Sequence, residues 1–161
     1  MNNNHNNDFF SNIEYACTNI NLNKIDKFAK LLLETRKKNG SLFIIGVGGS
    51  AGNASHAVND FRKLCEIECY TPTDNVSEFS ARINDDGWNS SFSEWLRVSN
   101  LNKKDGIFIF SVGGGNIKKK VSLNLVEAIK YAKKVKSNIF GIVGRDGGYT
   151  KKSGNCVILI P

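Results

Sequence analysis

Leu42, Phe43, Ile44 and Ile45 form an apolar run that stops in Gly46-Val47-Gly48-Gly49-Ser50, and a helical pattern follows from about Ala51. Few architectures accept that order. A strand with no polar side has to be covered on both faces, as in a parallel sheet between helix layers. A glycine-rich turn from strand into helix leaves backbone N–H groups free at the positive helix end, a natural seat for an anion such as phosphate. Further along the helix, His56 and Asp60 are four residues apart and share one face, with Asn53 beside them.

The same order recurs downstream. A buried strand over Ile107–Phe110 runs into Ser111-Val112-Gly113-Gly114-Gly115-Asn116, followed by a long helix expected from about Lys118 to Val135. Further strands are expected at Ile67–Thr71, Asn138–Val143 and Cys156–Ile160, with Arg145-Asp146-Gly147-Gly148 after the third apolar one. Apolar residues spaced by three and four predict amphipathic helices between Asp8 and Lys38, broken near Asn19–Asn23, and another over Ser91–Ser99. Asp74-Asn75 reads as the cap of a short helix through Arg82, and Asn84-Asp85-Asp86-Gly87-Trp88 as a tight turn. The alternation predicts a three-layer α/β/α sandwich with a parallel, flavodoxin-like sheet behind an N-terminal helical segment. Ligands then sit beyond the C-terminal strand ends. Residues 1–7 are expected to be a disordered tail, and 8–161 a single domain. Because Pro161 directly follows a strand, a covering C-terminal helix is expected to be missing, or supplied by another chain.

Composition narrows the function. At 161 residues with 40% hydrophobic and 23% charged residues, the chain is an ordinary globular domain. The net charge of +7 is carried mostly by dispersed lysines, without an arginine-rich stretch interleaved with aromatics, so anionic small molecules fit better than nucleic acid. No apolar run approaches the roughly 20 residues of a membrane span, and the polar start lacks a leader's apolar region. Cys17, Cys65, Cys69 and Cys156 have no usual zinc or redox spacing, so buried free thiols in a reducing cytoplasm are expected.

Each motif also has an ordinary reading. Gly46-x-Gly48-x-x-Ala51 satisfies the dinucleotide fingerprint formally, but the following strand ends in Tyr70-Thr71-Pro72 where an acidic residue is wanted. Ser111–Asn116 offers a hydroxyl and unhindered N–H groups, a nest suited to a phosphate ester, or a plain turn. His56 and Asp60 supply an imidazole and a carboxylate for proton transfer or metal ligation, or a surface pair. Lys118–Lys120 reads as a solvated helix start.

Gly48-Gly49-Ser50 opening a helix, His56 with a carboxylate four residues on, Asn84-Asp85-x-Gly87 and the Ser111 loop together resemble sugar-isomerase (SIS) domains. Within them, the resemblance is to phosphoheptose isomerases, from about Asp8 to Pro161. It implies isomerisation of sedoheptulose 7-phosphate to glycero-manno-heptose 7-phosphate through an enediol(ate), with Asp60 as the catalytic carboxylate. By position it implies substrate contacts at Gly48, Gly49, Ser50, Asn84, Asp85, Ser111, Val112, Gly113 and Asn116. It further implies zinc at His56 and Asp60, no nucleotide cofactor, and a homotetramer with sites at subunit interfaces. The chain departs from the family pattern in having Asp60 where glutamate is usual, Val47 where asparagine is usual, and a phosphate loop thinned of serines. The family's catalytic histidine and a glutamine ligand lie on a helix that would follow Pro161, whereas this chain carries only His5 and His56. The same fold as a non-catalytic phosphosugar-binding sensor is the alternative reading.

Overall fold

The computed structural model describes residues 3–161. In chain order its elements are α1 (Asn3–Asn19), α2 (Leu22–Lys37), β1 (Leu42–Ile45), α3 (Gly49–Cys65), β2 (Cys69–Tyr70), α4 (Val76–Asp86), α5 (Ser91–Val98), β3 (Gly106–Ser111), α6 (Leu123–Lys134), β4 (Asn138–Val143), α7 (Gly148–Ser153) and β5 (Cys156–Leu159). The strands pair in parallel in the order β2-β1-β3-β4-β5. Helices cover both faces, so the chain is the α/β/α sandwich that its alternating pattern predicts.

The period of two along a strand divides the core between the layers. Leu42 and Ile44 pack with Leu32 of α2, Ala54 and Val58 of α3, and Phe108 and Phe140. Phe43 and Ile45 point the other way, into Trp95 and Leu96 of α5 and Leu125, Ala128 and Ile129 of α6. All four β1 side chains are buried, which is why the run contains no polar residue. Phe108 anchors the first layer, its ring centroid 4.9 Å from that of Phe28 and 4.5 Å from that of Phe110. Burying one such side chain stabilises by about 1.5–3 kcal/mol.

Several expectations are corrected. Helix α1 starts at Asn3, so the tail expected over residues 1–7 is helical from that point; Met1 and Asn2 lie outside the described residues. The break between α1 and α2 falls as expected, with the Asn21 side chain accepting the Lys24 N–H at 3.1 Å as an N-cap. Helix α4 continues past Arg82 to Asp86, so Asn84 and Asp85 are helical and not in a turn. Strand β2 is only Cys69–Tyr70, shorter than Ile67–Thr71. Against the last strand, α2 reaches across the sheet, with Cys156 Sγ 3.4 Å from the Lys24 carbonyl, and α7 flanks it, while Leu159 and Ile160 stay half-buried. Of the cysteines, all free, Cys69 and Cys156 are buried, Cys65 is half-buried, and Cys17 is exposed, contrary to expectation. Burial pushes the Cys69 thiol up to about 12, so it is no nucleophile at neutral pH.

Helix α1 has an apolar stripe that nothing among the described residues covers. Phe9 and Phe10 stand four and three residues before Ile13, and all three are exposed.

Candidate functional site

β1 is the hub. From it the chain steps to β2 on one side and returns to β3 on the other, so the strand order reverses between β1 and β3. Loops leaving neighbouring strands in opposite directions open a crevice at their C-terminal ends. The pairing of Ile45 with Ile109 therefore sets Gly46–Ser50 and Ser111–Asn116 side by side. The two glycine-rich loops seen in the sequence form one place.

In the first loop, a Cβ on Gly46 would lie 2.4 Å from the Ser50 carbonyl oxygen, so the turn is too tight for a side chain there. Gly48 has φ +60° and ψ −125° and caps α3 without a side-chain hydrogen bond. Among the described residues, the Gly48 and Gly49 N–H groups have no protein acceptor, and both residues are exposed. Ser50 is half-buried behind them. About two turns along α3 comes His56, its Nε2 3.3 Å from Asp60 Oδ2. Asn59 Nδ2 donates to the other Asp60 oxygen at 3.1 Å. The His56 and Asp60 side chains are 78% and 47% exposed, so a single chain leaves the pair facing water.

The second loop is held from behind. Gly114 N–H donates to Ser111 Oγ at 3.0 Å, leaving the hydroxyl proton free for another acceptor. The Gly114 carbonyl accepts from Thr150 N at 2.9 Å and Thr150 Oγ1 at 2.8 Å, and the Gly115 carbonyl accepts from Tyr149 N at 2.8 Å. These carbonyls are thus turned towards the start of α7. Val112 is exposed and Gly113 half-buried; among the described residues their N–H groups have no protein acceptor.

The helix expected directly after this loop is displaced. Asn116 and Val121 exchange backbone hydrogen bonds of 2.9 and 3.0 Å, and Asn116 Oδ1 accepts the Lys119 N–H at 2.9 Å. The Asn116 side chain thus holds a turn whose exposed tip carries Lys118–Lys120, and α6 begins only at Leu123. Its first turn comes back against the loop, Val126 Cγ2 lying 3.1 Å from where a Gly115 Cβ would be.

Other expected members are not joined to the crevice. Asn84 and Asp85 are exposed at the end of α4, and Asn84 Nδ2 donates to Asp85 Oδ1 at 2.7 Å. No hydrogen bond links either to the glycine loops among the described residues. The acidic residue nearest the end of β2, Asp74, accepts from Ser55 Oγ at 2.6 Å, which leaves the dinucleotide reading without its ribose ligand. No third His, Cys, Asp or Glu joins His56 and Asp60 among the described residues. Two donors are fewer than the three or four a zinc ion takes, so this chain by itself does not fit a zinc centre.

One residue beside the site figures in the sequence only as part of the turn after the third apolar strand, without a role there. Arg145, following β4, places Nη1 4.0 Å from where a Gly113 Cβ would lie. The only hint was a glycine pair after a third buried strand. A concavity of about 520 Å³ lies away from this crevice, at the opposite end of the sheet, lined by Arg36, Asn39, Gly40 and Glu66 among others.

The fold is one that known proteins share. Residues 8–144 match the SIS domain, and the chain belongs to that family. Its likeness within the family is to phosphoheptose isomerases. It is 30% identical over 143 residues to phosphoheptose isomerase 1 of Campylobacter jejuni, covering 86% of this chain and 73% of that protein. It is 32% identical over 143 residues to the lincomycin biosynthesis protein LmbN of Streptomyces lincolnensis, covering 83% of this chain but only half (50%) of that protein. The structure of phosphoheptose isomerase from Neisseria gonorrhoeae superposes with a TM-score of 0.82 at 24% identity, over 98% of this chain and 83% of that one, a likeness of fold. No helix among the described residues is long and apolar enough to cross a membrane.

Proposed function

We propose that this chain is the substrate-binding domain of a phosphosugar aldose–ketose isomerase, acting on sedoheptulose 7-phosphate to give glycero-manno-heptose 7-phosphate in a cytoplasmic setting. The observation that carries the reading is the meeting of both glycine loops at the β1/β3 crevice, with α3 leading from one of them to His56 and Asp60. Relatives named phosphoheptose isomerase support the same class. The phosphate is seated by the N–H groups of Val112 and Gly113 and the Ser111 hydroxyl. The Gly48, Gly49 and Ser50 turn faces the sugar.

Asp60 takes the proton from the carbon beside the carbonyl. The C–H electrons become the C=C bond of the enediol(ate) as the carbonyl π pair moves onto its oxygen, which takes a proton. An acid then protonates the former carbonyl carbon while the hydroxyl on the first carbon loses its proton and becomes the new carbonyl. His56, 3.3 Å from Asp60, positions the base. Zinc enters the proposal only with donors from outside this chain. Asn84 and Asp85 reach the substrate only if α4 is approached from a second subunit.

A homo-oligomer, a tetramer in the resemblance, is part of the proposal. Its support is the exposed base and the uncovered stripe of α1. Phe10→Glu is expected to lower the mass measured by light scattering, and an unchanged mass would remove α1 from the interface.

The reading is tested by calorimetric titration of the chain with sedoheptulose 7-phosphate while product is assayed. Binding with turnover is expected if Asp60 and its neighbours suffice. Binding without turnover favours the sensor reading, for which the water-facing carboxylate is the structural argument. No binding overturns both.

A further inference from the structure

We infer that Arg145 is the cationic partner of the Ser111–Gly115 loop, its guanidinium pairing with the anionic ester of the ligand that the loop's N–H groups orient. This rests on the phosphosugar reading above and adds the source of charge. The loop itself carries none. Its one hydroxyl, Ser111, already accepts the Gly114 N–H at 3.0 Å, and backbone amides orient a phosphate without neutralising it.

Arg145 stands at the right place. It follows Gly144, whose N–H donates to the Ser111 carbonyl at 3.3 Å, so the ends of β3 and β4 are tied together there. From Gly113 the only neighbour within 4 Å of a Cβ position is Arg145 Nη1, at 4.0 Å. The guanidinium therefore lies beside Gly113, whose N–H has no protein acceptor among the described residues.

Nor is its charge used elsewhere. Among the described residues Arg145 is exposed and belongs to none of the ion pairs. The adjacent carboxylate, Asp146, is turned back to accept the Gly148 N–H at 3.1 Å. The backbone of Arg145 has φ +51°, a conformation that favours glycine, among the glycines 144, 147 and 148. An arginine held in that conformation supplies what glycine cannot, a planar fork of donors matched to phosphate oxygens.

The hydrogen bonds from Tyr149 and Thr150 to the loop carbonyls fix the spacing between loop and guanidinium, because Arg145 and α7 are one continuous segment. The Lys118–Lys120 tip is the rival source of charge. It lies beyond Asn116, on a turn of its own.

The test is calorimetric titration of wild type, Arg145→Gln, Arg145→Lys and Arg145→Gly with sedoheptulose 7-phosphate and, separately, with inorganic phosphate. Removing the guanidinium is expected to weaken binding roughly 10–100-fold, with lysine in between and a shallower salt dependence in the glutamine variant. Arg145→Gly relieves the left-handed backbone, so its melting temperature should equal or exceed that of wild type, and its loss of affinity then reports the side chain and not misfolding. Wild type that binds neither ligand overturns the phosphosugar reading itself. Wild type that binds, with Arg145→Gly binding equally well, overturns only the assignment to Arg145. Loss of binding in a Lys118/Lys119/Lys120 triple glutamine variant, with Arg145→Gly unaffected, would move the charge to the tip.

Discussion

Asp60→Asn is expected to lower turnover of sedoheptulose 7-phosphate by about 10²–10⁴-fold, the usual worth of a positioned base, while phosphosugar affinity stays within a few-fold. Asparagine keeps the size of the side chain and can still meet Asn59 and His56, so what disappears is the ability to take a proton. A fall in kcat without a matching change in affinity is the mark of an interaction used in the transition state. Asp60→Glu restores the residue usual in the family and lengthens the reach by one methylene. Turnover at or above wild type is expected there. If Asp60→Asn remains active, the base is another carboxylate. Glu78 is engaged with Arg82 at 2.7 Å, which leaves Asp85 as the next to test.

Gly114→Ala should be the most damaging single methyl group in the chain. Gly114 has φ +66°, and a Cβ there would lie 2.0 Å from the Gly147 carbonyl oxygen. Left-handed backbone costs an L residue about 1–2 kcal/mol, and forcing apart a packed contact about 1–3 kcal/mol more. A loss of about 2–5 kcal/mol is expected, read as a lower urea midpoint together with loss of phosphosugar binding. Gly49→Ala is the control, since nothing lies within 4 Å of its Cβ position and its φ is not in the left-handed range. It should leave the midpoint unchanged or slightly raised. Equal midpoints for Gly114→Ala and wild type would mean that loop and α7 are not held as tightly as the hydrogen bonds to Thr150 imply.

The central strands were legible because they are buried on both faces and therefore largely apolar, whereas β2, with Tyr70 exposed, was read too long. Asn138–Val143 coincides with the observed β4, and the apolar run ahead of Gly46 falls on β1. Helix ends were less legible. Asn84-Asp85 has turn chemistry, yet α4 runs through it to Gly87, whose φ of +85° ends the helix. The lysine run after Asn116 resembles a helix start, but a backbone pair between Asn116 and Val121 claims those residues first. Of the site, both glycine loops and the His56–Asp60 pair could be read locally, because each is written within one stretch of chain. Their adjacency is a matter of strand order, and Arg145 and Thr150 enter only through β4 packing beside β3. No local pattern encodes that. The apolar spacing of α1 was legible as a helix, but what its stripe meets is not written in this chain's own fold.

The central position of β1 ties ligand to folding. The loop at its end and the loop after β3 belong to distant parts of the sequence and meet only when the two strands have paired. A molecule bridging both loops is therefore bound by the assembled sheet and by no partly formed one. By mass action its free energy of binding is added to that of the β1–β3 pairing, in proportion to the logarithm of its concentration once the site is saturated. The folding equilibrium of the sheet is then expected to shift with the concentration of any such ligand, read as a ligand-dependent rise in melting temperature.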